Sequence, residues 1–318
     1  MVGKIYGIGS YAPNKTIDNY DLAKMVDTND EWIRERTGIA RRHVIEEDTT
    51  VSMSVEASKK ALQQANMKAE ELELILVSTI SSNVILPCAA CEVQAEIQAV
   101  NAVAFDINLA CSGFVAAYVT AQAYIASGMY RNVLIIGSEA LSTITNWQDR
   151  STCILFGDGA GAVVMKAEEG SSYQSVLHSD GSMGSALTCK SRHNLTTGEI
   201  PADTYMQMEG QAVFKFAVKK VPEVIREVLE KNRVNIEEID WFVLHQANKR
   251  IIDSIAKRLQ APIERFPMNV EEYGNTSSAS IPLLLDELNR EGKLKTGQKI
   301  LMAGFGAGLS WGAAILDL

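Results

Sequence analysis

The chain has 318 residues, 47% of them hydrophobic and 22% charged, ordinary globular values that argue against a disordered protein. That length corresponds to about two domains or one large one, enough to bury a core without a disulfide or metal staple. Lys and Arg number 30 against 39 Asp and Glu, and the resulting net charge of −9 excludes a nucleic-acid binder that relies on an overall basic footprint.

The opening segment MVGKIYGIGSYAP has no apolar signal core, which predicts a protein that is not secreted. No stretch approaches the ~20 apolar residues of a spanning helix, so no membrane partner is expected. Residues 61–78, ALQQANMKAEELELILVS, read as a helix, an acidic turn and a buried strand. The same pattern returns without gaps at 228–245, VLEKNRVNIEEIDWFVLH, with Leu62 over Leu229 and Glu70-Glu71 over Glu237-Glu238. Internal repetition of this kind points to a duplicated architecture. Next come Cys88 and Cys91, one CxxC without a second pair or a nearby His. A zinc site is not expected from them, and small core residues are the better reading. The five cysteines (Cys88, Cys91, Cys111, Cys153 and Cys189) are an odd count and predict reduced thiols in the cytoplasm.

Residues 106–128, DINLACSGFVAAYVTAQAYIASG, read as strand, sharp turn and a helix of small residues. Cys111 falls at the turn, where a helix N-terminus favours a thiolate and lowers its pKa. A buried structural cysteine is the competing reading. The strand VLIIGSE is followed by FGDGAGAVVM, and near the end ILMAG is followed by FGAGLSWGAAIL. Neither glycine motif has Walker or dinucleotide spacing. A tight turn between packed sheets explains the first; the second suits a backbone N–H left free for an oxyanion. Of the four histidines, His43, His178 and His193 sit in polar surroundings and read as surface or loop residues. His245 follows WFVL at the C-terminal end of a buried strand, where α/β sheets bind ligands. YGNTSSASIP, carrying Asn275, is a Gly-Asn turn and helix start. The apolar runs LILV, NVLII, WFVL and KILMA suit sheets covered on both faces. The expectation is an α/β fold of two packed halves, 1–170 carrying the candidate nucleophile and 171–318 carrying the His and Asn.

With Cys111 in ACSGF, His245 in HQANKR, Asn275 in GNTSSAS, the terminal FGAGLSWG, and GSYAPN, TNDEWIRERTGIARRH and QDRSTCILFGDGAGA besides, the chain resembles the β-ketoacyl-acyl-carrier-protein synthase III family of thiolase-like condensing enzymes. The resemblance covers essentially the whole chain. It implies a five-layer αβαβα fold, no cofactor, no metal and a homodimer. It also implies a Cys111-His245-Asn275 triad; longer-chain relatives carry a second His where Asn275 stands.

On this resemblance, Cys111 takes an acyl group from an acyl-CoA primer, with the N–H groups of Cys111 and Ala307 as oxyanion hole. Malonyl-acyl-carrier protein then loses carbon dioxide, His245 and Asn275 hold the enolate oxygen, and the carbanion attacks the Cys111 thioester. Trp32 and Arg150 resemble the pair that sandwiches the CoA adenine, with Thr28 and Arg36 beside them. Gly210, Phe214, Ala247 and Asn248 resemble the pantetheine tunnel wall. Leu86 matches a position that shapes the acyl pocket of the partner subunit.

A starter-unit synthase of polyketide or signal-molecule biosynthesis would share the triad. A degradative thiolase is disfavoured because no Cys follows Cys189, and an inactive partner subunit because the triad is intact. The carrier protein is acidic, and residues 245–258 hold Lys249, Arg250, Lys257 and Arg258 against Asp253 alone. That local basic run, together with Gln246 and Lys215, is the candidate docking patch.

Overall fold

The computed structural model describes residues 1–190 and 204–318; His193 lies outside them. In chain order the elements are β1 (Val2–Tyr11), β2 (Thr16–Asp18), α1 (Asn19–Leu22), α2 (Asp30–Thr37), β3 (Arg41–His43), α3 (Thr50–Gln64), β4 (Leu74–Ser78), α4 (Ala89–Glu96), β5 (Val103–Ile107) and α5 (Gly113–Ala126). They continue with β6 (Asn132–Ala140), α6 (Arg150–Cys153), β7 (Asp158–Glu168), β8 (Val176–Ser179), β9 (Leu187–Thr188), β10 (Gln207–Met208), α7 (Gly210–Asn232), β11 (Trp241–Leu244), α8 (Lys249–Leu259), α9 (Val270–Tyr273), α10 (Ser280–Arg290), β12 (Lys299–Gly306) and β13 (Ser310–Asp317).

Two sheets form the frame. The first has the order β1-β7-β6-β4-β5, with β4 parallel to both β5 and β6. The second has the order β11-β12-β13-β8, with β11 parallel to β12. Between them lie α5 and α10. Phe114, Val115 and Ile281, Leu284 pack against Leu74 and Leu76 on one side and Val243, Ile300 and Met302 on the other. This position explains why α5 is apolar on almost every face: a helix between two sheets has no side left for water. The alternate residues Ile75 and Val77 point outward, under α3 and α4. Phe242, Leu244 and Leu301 likewise face α7 and α8. The result is helix, sheet, helix, sheet, helix: the five-layer arrangement that the resemblance implied.

The repeated segments take the same shape. After α3, a 3-10 turn at Ala69–Glu71 is closed by Lys68 N–H donating to Glu71 Oε1 at 2.8 Å. After α7, a 3-10 turn at Ile236–Glu238 is closed by Asn235 N–H donating to Glu238 Oε1 at 2.8 Å. Each turn leads into a buried parallel strand, β4 or β11. Among the described residues, no helix is long and apolar enough to cross a membrane.

Two local expectations change. His43 is half-buried, with Nδ1 2.6 Å from the Pro13 carbonyl and its ring stacked on Tyr273. His178 is exposed and paired with Glu227 at 2.7 Å. Cys88 and Cys91 are half-buried rather than core residues, because the first turn of α4 lies at the margin of the sheet.

Candidate active site

Two strand–helix junctions and the turn between α9 and α10 meet where the sheets face each other. Cys111 lies in a 3-10 turn, Ala110–Ser112, that runs directly into α5. Ala110 holds a left-handed φ of +44°, a strained conformation for a residue with a Cβ. Cys111 is 7% exposed. Gly306, at the end of β12, lies against it: a methyl group there would sit 2.8 Å from Cys111 Cβ and 2.9 Å from its nitrogen. The FGAGLSWG turn thus reaches the candidate nucleophile from the second sheet, placing Ala307 one residue beyond this contact.

Burial pushes the Cys111 thiol up to about 12, the buried Glu139 carboxyl adding to the effect while the Ser277 side chain opposes it. The lowered pKa expected from the helix N-terminus is therefore not found. Loss of solvent on both sides of the thiol outweighs the dipole of α5.

His245 directly follows β11, its N–H donating to the Ala303 carbonyl at 2.9 Å. Its ring stands edge-on to Phe305 at 5.1 Å, and Nδ1 is 2.8 Å from Ser280 Oγ. Burial lowers its pKa to about 3, so the imidazole is neutral, although a hydrogen bond to the Ser277 backbone works against the shift.

Asn275 is seated by its own backbone. Its N–H donates to the Leu155 carbonyl at 2.8 Å, and its carbonyl accepts from Gly157 N–H at 3.0 Å. Gly274 must be glycine here, since φ is +65° and a Cβ would lie 2.7 Å from the Leu155 carbonyl oxygen. Asn275 Oδ1 accepts from Ser277 N–H at 2.9 Å, which leaves the amide nitrogen as the donor end of the side chain.

The segment 275–280 is thus the common support. Ser277 has φ +49°, and its carbonyl oxygen lies 2.9 Å from Ser280 Oγ. Glu139, fully buried at the end of β6, accepts from Ser278 Oγ at 2.9 Å, Ser81 Oγ at 2.6 Å and Ile80 N–H at 3.0 Å. Burial raises its pKa. Glu139, Ser277 and Ser280 were not singled out from the sequence. The only available signals were the hydroxyl run TSSAS and an acid ending an otherwise apolar strand.

A second cluster lies on the outside. Arg36 and Arg150 both stack on the Trp32 indole, at 4.8 and 5.0 Å from the ring centroid. Arg150 also donates to the Asp27 carbonyl at 2.9 Å. Thr28 Oγ1 is buried and has no hydrogen-bond partner among the described residues. Asn248 caps α8 and donates through Nδ2 to the Arg36 carbonyl at 3.0 Å, joining α2 to α8. Arg250 lies over the Phe214 ring at 5.7 Å. Phe214 and Ala247 are half-buried against the second sheet's core, and Gly210 is the exposed start of α7.

Lys215, Lys249, Arg250, Lys257 and Arg258 are exposed, with Lys249 held by Asp253 at 2.9 Å. Gln246 does not belong with them. It is 1% exposed, its Nε2 donates to the Leu244 carbonyl at 2.8 Å, and its Oε1 accepts from Asn269 N–H at 3.2 Å. The chain turns inward at that point, so Gln246 braces the loop after β11. Leu86 is 85% exposed.

A duplicated five-layer fold with cysteine, histidine and asparagine carried on facing junctions defines a thiolase-like condensing enzyme. Two family models match the chain: 3-oxoacyl-[acyl-carrier-protein] synthase III over residues 105–181, and its C-terminal region over residues 229–318. The β-ketoacyl-[acyl-carrier-protein] synthase III of Clostridium perfringens (strain SM101) is 47% identical over 320 residues, covering 99% of each chain. That of Xanthomonas campestris pv. campestris is 46% identical over 99% of this chain and 98% of its own. The crystal structure of the Aquifex aeolicus synthase III matches with a TM-score of 0.94 and 45% identity, covering 99% of this chain and 100% of that one. A priming β-ketosynthase of the R1128 polyketide pathway matches with a TM-score of 0.95 and 36% identity, covering 100% of this chain and 96% of that one. The chain belongs to the 3-oxoacyl-[acyl-carrier-protein] synthase III family, and it is an acyltransferase.

Proposed function

We propose that the enzyme joins an acyl-CoA primer to malonyl-acyl-carrier protein, through an acyl-Cys111 intermediate, to start type II fatty-acid synthesis. The observation that carries this reading is the shared support of Cys111, His245 and Asn275 by the 275–280 turn. The Cys111 sulfur attacks the primer thioester, and its proton leaves on the thiol of coenzyme A. The N–H groups of Cys111 and Ala307 hold the oxyanion. In the second half, malonyl-carrier protein loses carbon dioxide, and His245 and Asn275 hydrogen-bond the enolate oxygen. A neutral imidazole and an amide suit this step, because neither carries a proton acidic enough to quench the carbanion. Removal of one such donor costs ~3–4 kcal/mol. The carbanion attacks the acyl-Cys111 carbonyl, and the released sulfur recovers a proton. No cofactor takes part.

Trp32 and Arg150 hold the adenine, with Thr28 and Arg36 alongside; the orphan Thr28 hydroxyl is available to a ligand. Gly210, Phe214, Ala247 and Asn248 line the pantetheine path. Lys215, Lys249, Arg250, Lys257 and Arg258 attract the acidic carrier protein, Arg250 being placed over the Phe214 wall. Residues 1–170 and 171–318 act as two halves of one duplicated unit. The exposed edge strand β5, with Val103 50% exposed, and the exposed Ile85 and Leu86 suit a homodimer in which Leu86 borders the partner's acyl pocket. The reduced thiols suit the cytoplasm. The R1128 relative supports a second reading, a starter-unit synthase with the same chemistry.

Single-turnover assays with Asn275→Ala separate the half-reactions. Acylation by the primer persists and condensation with malonyl-acyl-carrier protein slows by about a few hundredfold. Loss of acylation instead contradicts the assigned roles. Arg250→Glu weakens use of the carrier protein and spares acylation by CoA thioesters; equal losses in both contradict the docking patch.

A further inference from the structure

Cys88 and Cys91 take no part in the chemistry above, yet they form the closest pair of thiols described. Their sulfurs are 3.4 Å apart. Cys88 is the N-cap of α4 and Cys91 lies in its first turn, where Cys91 N–H donates to the Cys88 carbonyl at 3.0 Å. That tight turn draws the two side chains together. A disulfide needs the sulfurs at ~2.05 Å, so they must close by roughly 1.4 Å, within reach of side-chain rotation.

We propose that Cys88 and Cys91 form a reversible dithiol–disulfide site that takes low-molecular-weight disulfides as its substrate. Four observations favour this over a packing role or a metal site. The sulfurs face each other. Both residues are half-buried, whereas Cys153 is fully buried and Cys111 nearly so. No group of three or more His, Cys, Asp or Glu side chains able to hold a metal exists among the described residues. Finally, the surroundings make the two thiols unequal. Asp106 accepts from Ala89 N–H at 3.0 Å and Ala90 N–H at 2.8 Å, so these helix-terminal amides are already occupied. The Cys91 thiol is held above its usual range by Cys88, by burial and by Asp106. Cys88, at the N-cap beside the exposed Leu86, is the entering sulfur, and Cys91, its sulfur 3.6 Å from the Ala104 carbonyl of β5, is the resolving one.

The exchange balances in two steps. The Cys88 thiolate attacks one sulfur of the small disulfide, forming a mixed disulfide and releasing one small thiol. Cys91, losing its proton, then attacks Cys88 Sγ and expels the second small thiol. Two protein thiols are oxidised and one small disulfide is reduced to two thiols.

The site lies two residues beyond Leu86, and closing it ties the chain that carries Leu86 to the first turn of α4. On the reading that Leu86 borders an acyl pocket, oxidation alters the choice of primer. This part rests on that reading; the thiol chemistry does not.

The test equilibrates the intact enzyme with graded ratios of oxidised to reduced glutathione, alkylates it with iodoacetamide and weighs it. The expected product is a species with two thiols protected, mapped to Cys88 and Cys91, regained by reductant and absent from Cys88→Ser. Absence of that species at every ratio, or a glutathione adduct on Cys88 that Cys91 never resolves, overturns the proposal. A second readout compares Cys111 acylation by acetyl-CoA and by a longer primer. Oxidation is expected to change the ratio of the two rates in the wild type by about twofold or more and not in Cys88→Ser. An equal change in Cys88→Ser, or none in the wild type, overturns the link to the primer wall.

Discussion

His245 Nδ1 lies 2.8 Å from Ser280 Oγ, a contact that ties the loop after β11 to the first residue of α10. Ser280 Oγ also accepts from Gln246 N–H at 3.3 Å and lies 2.9 Å from the Ser277 carbonyl oxygen; a donating Nε2 on the neutral ring requires the hydroxyl hydrogen to go to Nδ1. One hydroxyl therefore aligns the imidazole, the loop behind it and the turn that carries Asn275.

Ser280→Ala is expected to slow condensation at least about tenfold while the KM for malonyl-acyl-carrier protein changes little. The variant leaves a buried ring nitrogen without its partner, at a cost of ~1–3 kcal/mol. Steady-state kinetics check this. A rise in KM with unchanged kcat means that Ser280 serves binding rather than alignment.

The low pKa of His245 predicts an acid-sensitive fold. In the unfolded chain the imidazole takes a proton near pH 6.5, and in the folded chain only near about 3. Between these values the unfolded state binds more protons, so stability is lost as pH falls through that window. The slope is ~1.4 kcal/mol per pH unit for this group. Urea midpoints followed from neutral pH down to pH 4 should fall less steeply in His245→Gln than in the wild type. Parallel curves contradict a buried neutral imidazole.

Glu139 raises the Cys111 pKa through its buried charge. Glu139→Gln removes that charge and keeps an acceptor for Ser278 or Ser81. At a fixed pH below the thiol's pKa, alkylation of Cys111 by iodoacetamide should then be faster than in the wild type. A slower rate shows that the strut's geometry, and not its charge, governs the sulfur.

Gly306→Ala places a methyl group 2.8 Å from Cys111 Cβ, a distance that forces backbone to move. Acylation is expected to fall about tenfold or more with the fold retained, because a displaced nucleophile loses its alignment. Wild-type rates alongside an unchanged circular dichroism spectrum contradict the close approach of the two sheets at this point.

The sequence made the layered architecture legible because both repeated units and the flanking apolar runs are local patterns. Cys111 and His245 stand out for the same reason, each sitting where a strand hands over to a helix, whereas Asn275 alone reads as a turn and helix start and is picked out only in combination with them. What escaped depends on contacts between distant segments. The thiol's raised pKa follows from burial between two sheets, which no neighbour of Cys111 encodes. Gln246 reads as part of a basic surface run, yet its amide folds back onto Leu244 and Asn269. Glu139 and Ser278 are 139 residues apart, so their pairing is invisible along the chain.

The central claim is that Cys111 carries the acyl group. Intact mass spectrometry after mixing the enzyme with acyl-CoA tests it most directly. The expected result is a single acyl adduct that maps to Cys111, disappears on adding malonyl-acyl-carrier protein, and is absent from Cys111→Ala. An adduct that survives in Cys111→Ala, or no adduct with any primer from acetyl to long and branched chains, contradicts it.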